Sequence, residues 1–330
     1  MNLTPKLPST FIKNKFSEFE EKISCTFDYD FSIVSQRIDD IEQFEEKIKK
    51  PYESGKQMFY RGERTASNER GLLPTMLRNP DWFLENSDSG IVHIDAKTIF
   101  DIFDAQGDFV NLFRQTMGEV SPDKLYELCA FAQHYFNFSP LIDFTKSLYA
   151  ALSFAVKDRD TYDDDIVLYE IILNDEKKDY TTDVETANKW LSELDIFISS
   201  VDREIKKVLV DKKPSKNLFK VREDIINDIE KIINQYTPDA KIIDVPINTR
   251  MKFQQGVFLL LTDFHLHGVN YLTSDLRDDF SITKYIISKD ICPEIREIIH
   301  REAPWYCYKY IMDEKAAFQA SVDKINNSNE

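Results

Sequence analysis

The sequence predicts an α+β fold: a mixed, largely antiparallel β core flanked by helices, with a helical insertion. Three observations carry that expectation. Hydrophobic residues make up 42% of the 330-residue chain and charged residues 30%, a balance that buries a core and solvates a surface. Short, mainly apolar runs recur at residues 57–60, 166–173, 242–246, 257–261 and 284–287, each shorter than an ordinary helix. Other stretches return an apolar side chain every three or four positions, which places those side chains on one helical face.

In chain order, Val34, Ile38, Ile41, Phe44 and Ile48 share a helical face, ended by the stop Lys49-Lys50-Pro51. Gln57-Met58-Phe59-Tyr60 reads as a short buried strand that Gly62 breaks. Leu72, Leu73, Met76 and Leu77 place a turn and a short helix within 67–79. Helices are expected over 98–117, from Ile99, Ile102, Phe103 and Val110, and over 123–135, from Leu125, Leu128, Cys129 and Ala132. A third spans 147–156, with Leu148, Ala151, Leu152 and Ala155 on one face.

The acidic loop Asp163-Asp164-Asp165 precedes the strongest strand, 166–173. Residues 175–238 are rich in Lys, Asp and Glu, with helical patterns at 184–199 and 222–235. Strand signals resume directly afterwards, so this stretch is an insertion and not a separate domain. Pro293, a favoured first helical residue, opens a last helix that runs to about 301. The chain thus divides into an N-terminal helical extension (1–34), a main domain (35–315) and a C-terminal tail (316–330).

Acidic residues outnumber basic ones by 58 to 42, a formal net charge of −16. Such a surface repels phosphate backbones, so nonspecific binding to duplex nucleic acid is disfavoured, and the charge serves solubility. Eight glycines leave little room for a glycine-rich nucleotide loop. Cys25, Cys129, Cys292 and Cys307 show no CxxC spacing and no short Cys/His grouping, so no metal is expected and a reducing compartment fits. No signal-peptide core opens the sequence, and Gly256-Val257-Phe258-Leu259-Leu260-Leu261 is far too short to span a bilayer. The expected location is the cytoplasm, without membrane contact.

Three constellations could carry chemistry. In Phe59-Tyr60-Arg61-Gly62, the guanidinium at the end of a buried strand can fork to a phosphate or carboxylate, and Gly62 allows a turn and close ligand approach. The same arginine could instead pair with an internal carboxylate and hold a loop. In the stretch Gln133 to Thr145, His134 could carry a proton or donate to a ligand, or be a buried, satisfied histidine. Asp143 and Thr145 could cap the helix that starts near Ser147. In Arg250-Met251-Lys252-Phe253-Gln254-Gln255-Gly256, two amides could read a polar ligand or bind exposed backbone in a turn.

Together these segments resemble the FRG domain family, whose pattern opens with an aromatic-Arg-Gly motif, here Tyr60-Arg61-Gly62. Its Leu-x-Pro-x-x-x-Arg stretch is matched by Leu72 to Arg78. Its central motif is kept as His134-Tyr135, Leu141-Ile142-Asp143-Phe144-Thr145, Ser147 and Ala151-Leu152-Ser153-Phe154-Ala155. A late Gln-Gln-Gly-x-Phe element stands as Gln254 to Phe258. The chain departs at Phe136-Asn137-Phe138-Ser139-Pro140, where the family usually has Gly-Leu-Pro-Thr-Arg, so the usual arginine is absent.

The family's motif layout looks like that of ADP-ribosyltransferases. That likeness implies an NAD-using transferase or NAD-hydrolysing enzyme, acting as a bacterial toxin or phage-defence effector, with NAD as co-substrate. In it, Arg61, His134 and Gln255 would do the chemistry, with Gln255 in the place of the catalytic Glu. Tyr60, Gly62, Arg78, Asp143, Thr145, Ser147, Tyr149 and Gln254 would line the cofactor pocket. The alternative is a non-catalytic module that senses a nucleotide or anion, with the helical insertion meeting a macromolecular target or protein partner.

Overall fold

The computed structural model describes residues 24–28, 34–66, 72, 91–95, 124–135, 139–157, 161–173, 180–193, 240–261, 280–313, 315–316, 319 and 322. The first half of the chain holds β1 (Ser24–Asp28), β2 (Val34–Ile38), a helix α1 (41–53), β3 (Met58–Glu63), β4 (Ile91–Asp95), α2 (Leu125–Tyr135), β5 (Leu141–Thr145) and α3 (Leu148–Val156). Then come β6 (Ile166–Leu173), β7 (Tyr180–Thr181), α4 (184–193), β8 (Ala240–Ile243), α5 (Thr249–Phe253) and β9 (Gly256–Leu261). The last elements are β10 (Phe280–Ile287), α6 (Cys292–Glu302) and α7 (Tyr308–Ile311).

Strands β1 and β4 form a separate antiparallel pair. The main sheet has eight strands in the order β2-β10-β6-β3-β5-β9-β8-β7. Its inner pairings are antiparallel, and only the edge pairs β2–β10 and β7–β8 are parallel. The α+β expectation holds.

One junction differs from the rest. Strands β3 and β5 meet through a single residue pair, Tyr60 with Thr145, whereas β3 and β6 pair over the whole of Met58–Glu63. The sheet is therefore two four-stranded halves joined at a seam. A polar row crosses it, because Thr283, Glu170, Tyr60, Thr145 and Gly256 are successive cross-strand neighbours.

The core lies between the first half-sheet and helices α1, α3 and α6. Met58, Tyr60, Ile166, Leu168, Tyr285 and Ile287 meet Leu148, Ala151, Leu152 and Ala155 of α3 and Ile295, Ile298 and Ile299 of α6. Helix α3 is buried on nearly all sides, since Ala150 packs in turn against Ala303, Tyr306 and Ile311. It is short and alanine-rich because it is sandwiched, and bulkier residues would push its neighbours apart.

Gly62 corrects an expectation. It does not break the strand; β3 runs through it to Glu63. A Cβ built at position 62 would lie 1.9 Å from the Ala151 carbonyl oxygen. The glycine is there so that a helix backbone can lie directly on a strand backbone, and the space expected for a ligand is filled by α3.

The helix expected over 34–48 begins later. Val34–Ile38 is a strand, paired in parallel with Thr283–Ile287. The spacing of Val34 and Ile38 fits either period over so short a stretch, and Val34 is exposed, so it never shared the buried face of Phe44 and Ile48. Asp40 starts α1 by accepting from Gln43 N at 2.8 Å.

Helix α1 runs through an α turn (Ile41–Phe44), a π turn (Glu45–Lys49) and a second α turn (Lys50–Glu53). Pro51 therefore does not stop it. Proline lacks the N–H that would reach the Lys47 carbonyl, and the Tyr285 hydroxyl lies 3.5 Å from that carbonyl instead. Strand β1 likewise lies inside the stretch expected to be a helical extension, where Cys25, Thr26 and Phe27 suit an extended chain. The helices expected at 98–117 and 222–235, and the turn at 67–79 apart from buried Leu72, lie outside the described residues.

Gly62→Ala tests the close approach. The added methyl must push a helix backbone away, so it should destabilise the protein by about 3 kcal/mol, the upper end of overpacking costs. Urea unfolding should read this as a lowered midpoint at unchanged slope.

Candidate functional site

The functional candidates gather where the two half-sheets part. Across the seam Arg61 supplies what the missing ladder does not. Its Nη1 donates to the Asp143 carbonyl at 3.0 Å and its Nε to Glu63 Oε1 at 3.1 Å. Glu63 is buried and Arg61 mostly so, with 13% of the Arg61 side chain and 8% of Glu63 exposed. The guanidinium fork thus holds one half-sheet to the other, as the internal-carboxylate alternative expects.

On the second half-sheet, β5 leads into α3 through a hydrogen-bonded corner. Thr145 Oγ1 donates to the Gln254 carbonyl at 2.6 Å and accepts from Ser147 N at 2.9 Å. Ser147 is the N-cap, accepting from Ala150 N at 3.3 Å. Capping was expected from Asp143 and Thr145; it falls to Ser147 because the cap must stand immediately before the first helical residue, Leu148.

Tyr306 packs with Ala150 and Ala303 in a buried cluster, and Tyr149 rests against it. Gln255 Nε2 donates to the Tyr306 hydroxyl at 2.8 Å. The Tyr52 ring stands edge to face with Tyr60 and with Tyr149, centroids 5.8 Å apart in both cases. Tyr149 donates to Glu302 Oε2 at 2.6 Å, and Lys49 holds the other oxygen at 2.7 Å. Ser147, Tyr52, Tyr149, Tyr306, Gln255 and Glu302 are therefore one connected cluster. Tyr52, Tyr149 and Glu302 are half-buried and Gln255 is exposed, so the cluster opens to solvent.

A second group sits beside the first. Gln133 on α2 holds the Asp143 carboxylate through a short hydrogen bond. The ring of its neighbour His134 packs tilted against Phe258, and its Nδ1 lies 3.1 Å from Arg250 Nη2. An arginine only donates, so Nδ1 is the acceptor and the neutral ring carries its proton on Nε2. Asn248 caps α5 at Met251 N, and Arg250 Nε is buried with no hydrogen-bond partner among the described residues.

The family model of the FRG domain matches residues 56–164. The chain contains an FRG domain. The match runs from the approach to β3 through α3 and ends just before β6. No curated protein and no solved structure gives a significant match to the chain.

The FRG domain carries most of the residues singled out in the sequence, and the structure sorts them. Tyr60, Thr145, Ser147 and Tyr149 join Gln255, from beyond the match, in or against the tyrosine cluster. Arg61, Asp143 and His134 belong to the second group, tied to the first through the main chain between Asp143 and Ser147. Gly62 is covered by α3, and the Gln254 side chain is buried and donates to the Ile311 carbonyl, away from the opening. Arg78 lies outside the described residues.

Sequence reasoning missed Tyr52, Tyr306, Glu302 and Glu170. Glu170 had a signal: it is the one charged residue in the apolar run Ile166–Leu173. It is buried beside Tyr60 and Tyr285, with Oε2 unpartnered among the described residues, and burial pushes its carboxyl above the usual range. Tyr149 is pushed up by burial and by its bond to Glu302. Burial also pushes Glu302 up, but the hydrogen bonds from Lys49, Tyr149 and Arg301 outweigh it and bring the carboxyl down to about 2. Among the described residues no group of His, Cys, Asp and Glu is placed to hold a metal ion, and no helix is long and apolar enough to cross a membrane.

Two outcomes follow from these contacts. Arg61→Ala should cost about 3 kcal/mol in urea unfolding, as for a broken buried ion pair, and Arg61→Lys should recover only part, since an ammonium lacks the fork to reach both acceptors. Glu302 has a folded-state pKa below its ordinary value of 4.5, so its stabilisation is present above that value and is lost as pH falls toward about 2. Glu302→Gln should be less stable than the wild type at pH 7 and show a shallower loss of thermal midpoint between those two pH values.

Proposed function

We propose that the tyrosine cluster at the head of α3 binds the nicotinamide end of NAD, and that the protein cleaves the bond between nicotinamide and ribose, by hydrolysis or by transfer of ADP-ribose. The observation that carries this reading is Glu302, an ionised carboxylate hydrogen-bonded to Tyr149 in the same cluster as Ser147 and Gln255. Breaking that glycosidic bond develops positive charge on the ribose, and a fixed negative group stabilises it. Gln255 is neutral and cannot do so. Glu302 supplies the charge from another element.

The residues fit the ligand in two respects. Tyr52 and Tyr149 offer half-exposed aromatic faces to a flat ring. Arg61 is held internally, while Arg250 has a buried Nε without a partner among the described residues, which makes it the better group for a phosphate oxygen. A second reading, a non-catalytic nucleotide sensor, is favoured by Lys49 and Arg301, which already pair with Glu302 and dilute its charge.

Incubating the full chain with NAD and following nicotinamide by chromatography separates these readings. The enzyme reading expects release, slowed by roughly 100-fold in Glu302→Gln with NAD affinity retained, the scale of losing one electrostatic stabiliser. Binding by calorimetry without release supports the sensor; neither binding nor release sinks both.

A further inference from the structure

Gln255 departs from what its backbone asks for. It follows the last turn of α5 with φ +50°, the left-handed position that ends many helices and that glycine fills without strain. A glycine stands one place later, at 256, where φ is not positive. The strained position thus carries a side chain, and that side chain is exposed.

Its setting is fixed at two points. Lys146 N donates to the Gln255 carbonyl at 3.0 Å, and Nε2 donates to the buried Tyr306 hydroxyl at 2.8 Å. An amide anchored by its NH2 leaves its oxygen as the open acceptor, and Oε1 of Gln255 has no hydrogen-bond partner among the described residues. An open amide oxygen reads an N–H or O–H donor and is set against another acceptor. Tyr306 lies in a buried cluster against which Tyr149 packs, and the Tyr149 ring meets Tyr52 at 5.8 Å, so the acceptor belongs to a cluster with aromatic walls.

We infer that Gln255 Oε1 is a specificity element, selecting a flat aromatic ring that bears a primary carboxamide over one that bears a carboxylate. This rests on the reading that the cluster takes the nicotinamide end of NAD. The carboxamide NH2 donates to Oε1; a carboxylate brings two acceptors together and leaves both unpaired, the kind of mismatch that sites discriminate strongly.

The test is calorimetric titration of the full chain with NAD and with nicotinic acid adenine dinucleotide, which differs only in that carboxylate. The wild type should bind NAD at least roughly tenfold more tightly. Gln255→Glu, which keeps an acceptor and adds charge, should widen the ratio. Gln255→Gly should bring the two affinities within about twofold of each other, without lowering the melting temperature, because glycine relaxes the strained φ. An unchanged ratio in Gln255→Gly overturns the inference and leaves NAD binding standing. A lowered melting temperature with an unchanged ratio reduces Gln255 to a structural tie to Tyr306. Failure of the wild type to bind either dinucleotide removes the NAD reading and this inference together.

Discussion

Helix α3 lies so close to β3 that position 62 has room for a hydrogen atom and nothing larger. That contact governs the rest. Because Ala151 is pinned against Gly62, the first turn of α3 is pinned with it, and Ser147 must stand at the end of β5. There the two half-sheets have only the Tyr60–Thr145 pair between them. Backbone that leaves a ladder in a buried place needs other partners. Arg61, Thr145 and the N-cap Ser147 provide them, so the polar residues at the seam have a structural duty before any functional one.

The same geometry places two carboxyls in opposed settings. Glu170 lies in the middle of a strand, under tyrosines and without a cation close enough to outweigh burial, so its neutral form is favoured. Glu302 ends α6 near the surface, where Lys49, Arg301 and Tyr149 favour its charge. Groups whose surroundings push them apart in this way occur at acid–base sites, and also in purely structural ion-pair networks. Openness to solvent distinguishes the two here: Glu302 is reachable and Glu170 is sealed. Glu302 is accordingly the carboxylate that the proposed reaction would use.

The sequence made the regular elements readable and the seam unreadable. Ile166–Leu173 and the helix from Pro293 follow from local pattern alone, because continuous burial of a strand and the face of a helix each leave a period in the chain. Val34–Ile38 was misread because a spacing of four satisfies both periods, and only pairing with β10 decides between them. Gly62 was misread for a related reason: a glycine in a strand marks close approach, but nothing in the sequence says whether a ligand or a helix approaches. Glu302 and Tyr306 were invisible as site residues because they reach the cluster from the far end of the chain, where tertiary packing alone makes them neighbours of Tyr149 and Gln255.

That division bears on what the FRG domain determines. The matched residues 56–164 supply the seam, the cap of α3 and Tyr149. The groups that would set chemistry and selectivity, Gln255, Glu302, Tyr306 and Arg250, all lie beyond the match. A fold holds a site in place, while the reaction depends on the particular groups brought to it. Two chains sharing the matched segment could therefore share the seam and its tyrosine wall yet differ in reaction, because the exchange of one carboxylate or amide from the later strands and helices changes which charge or hydrogen-bond donor the site can accept.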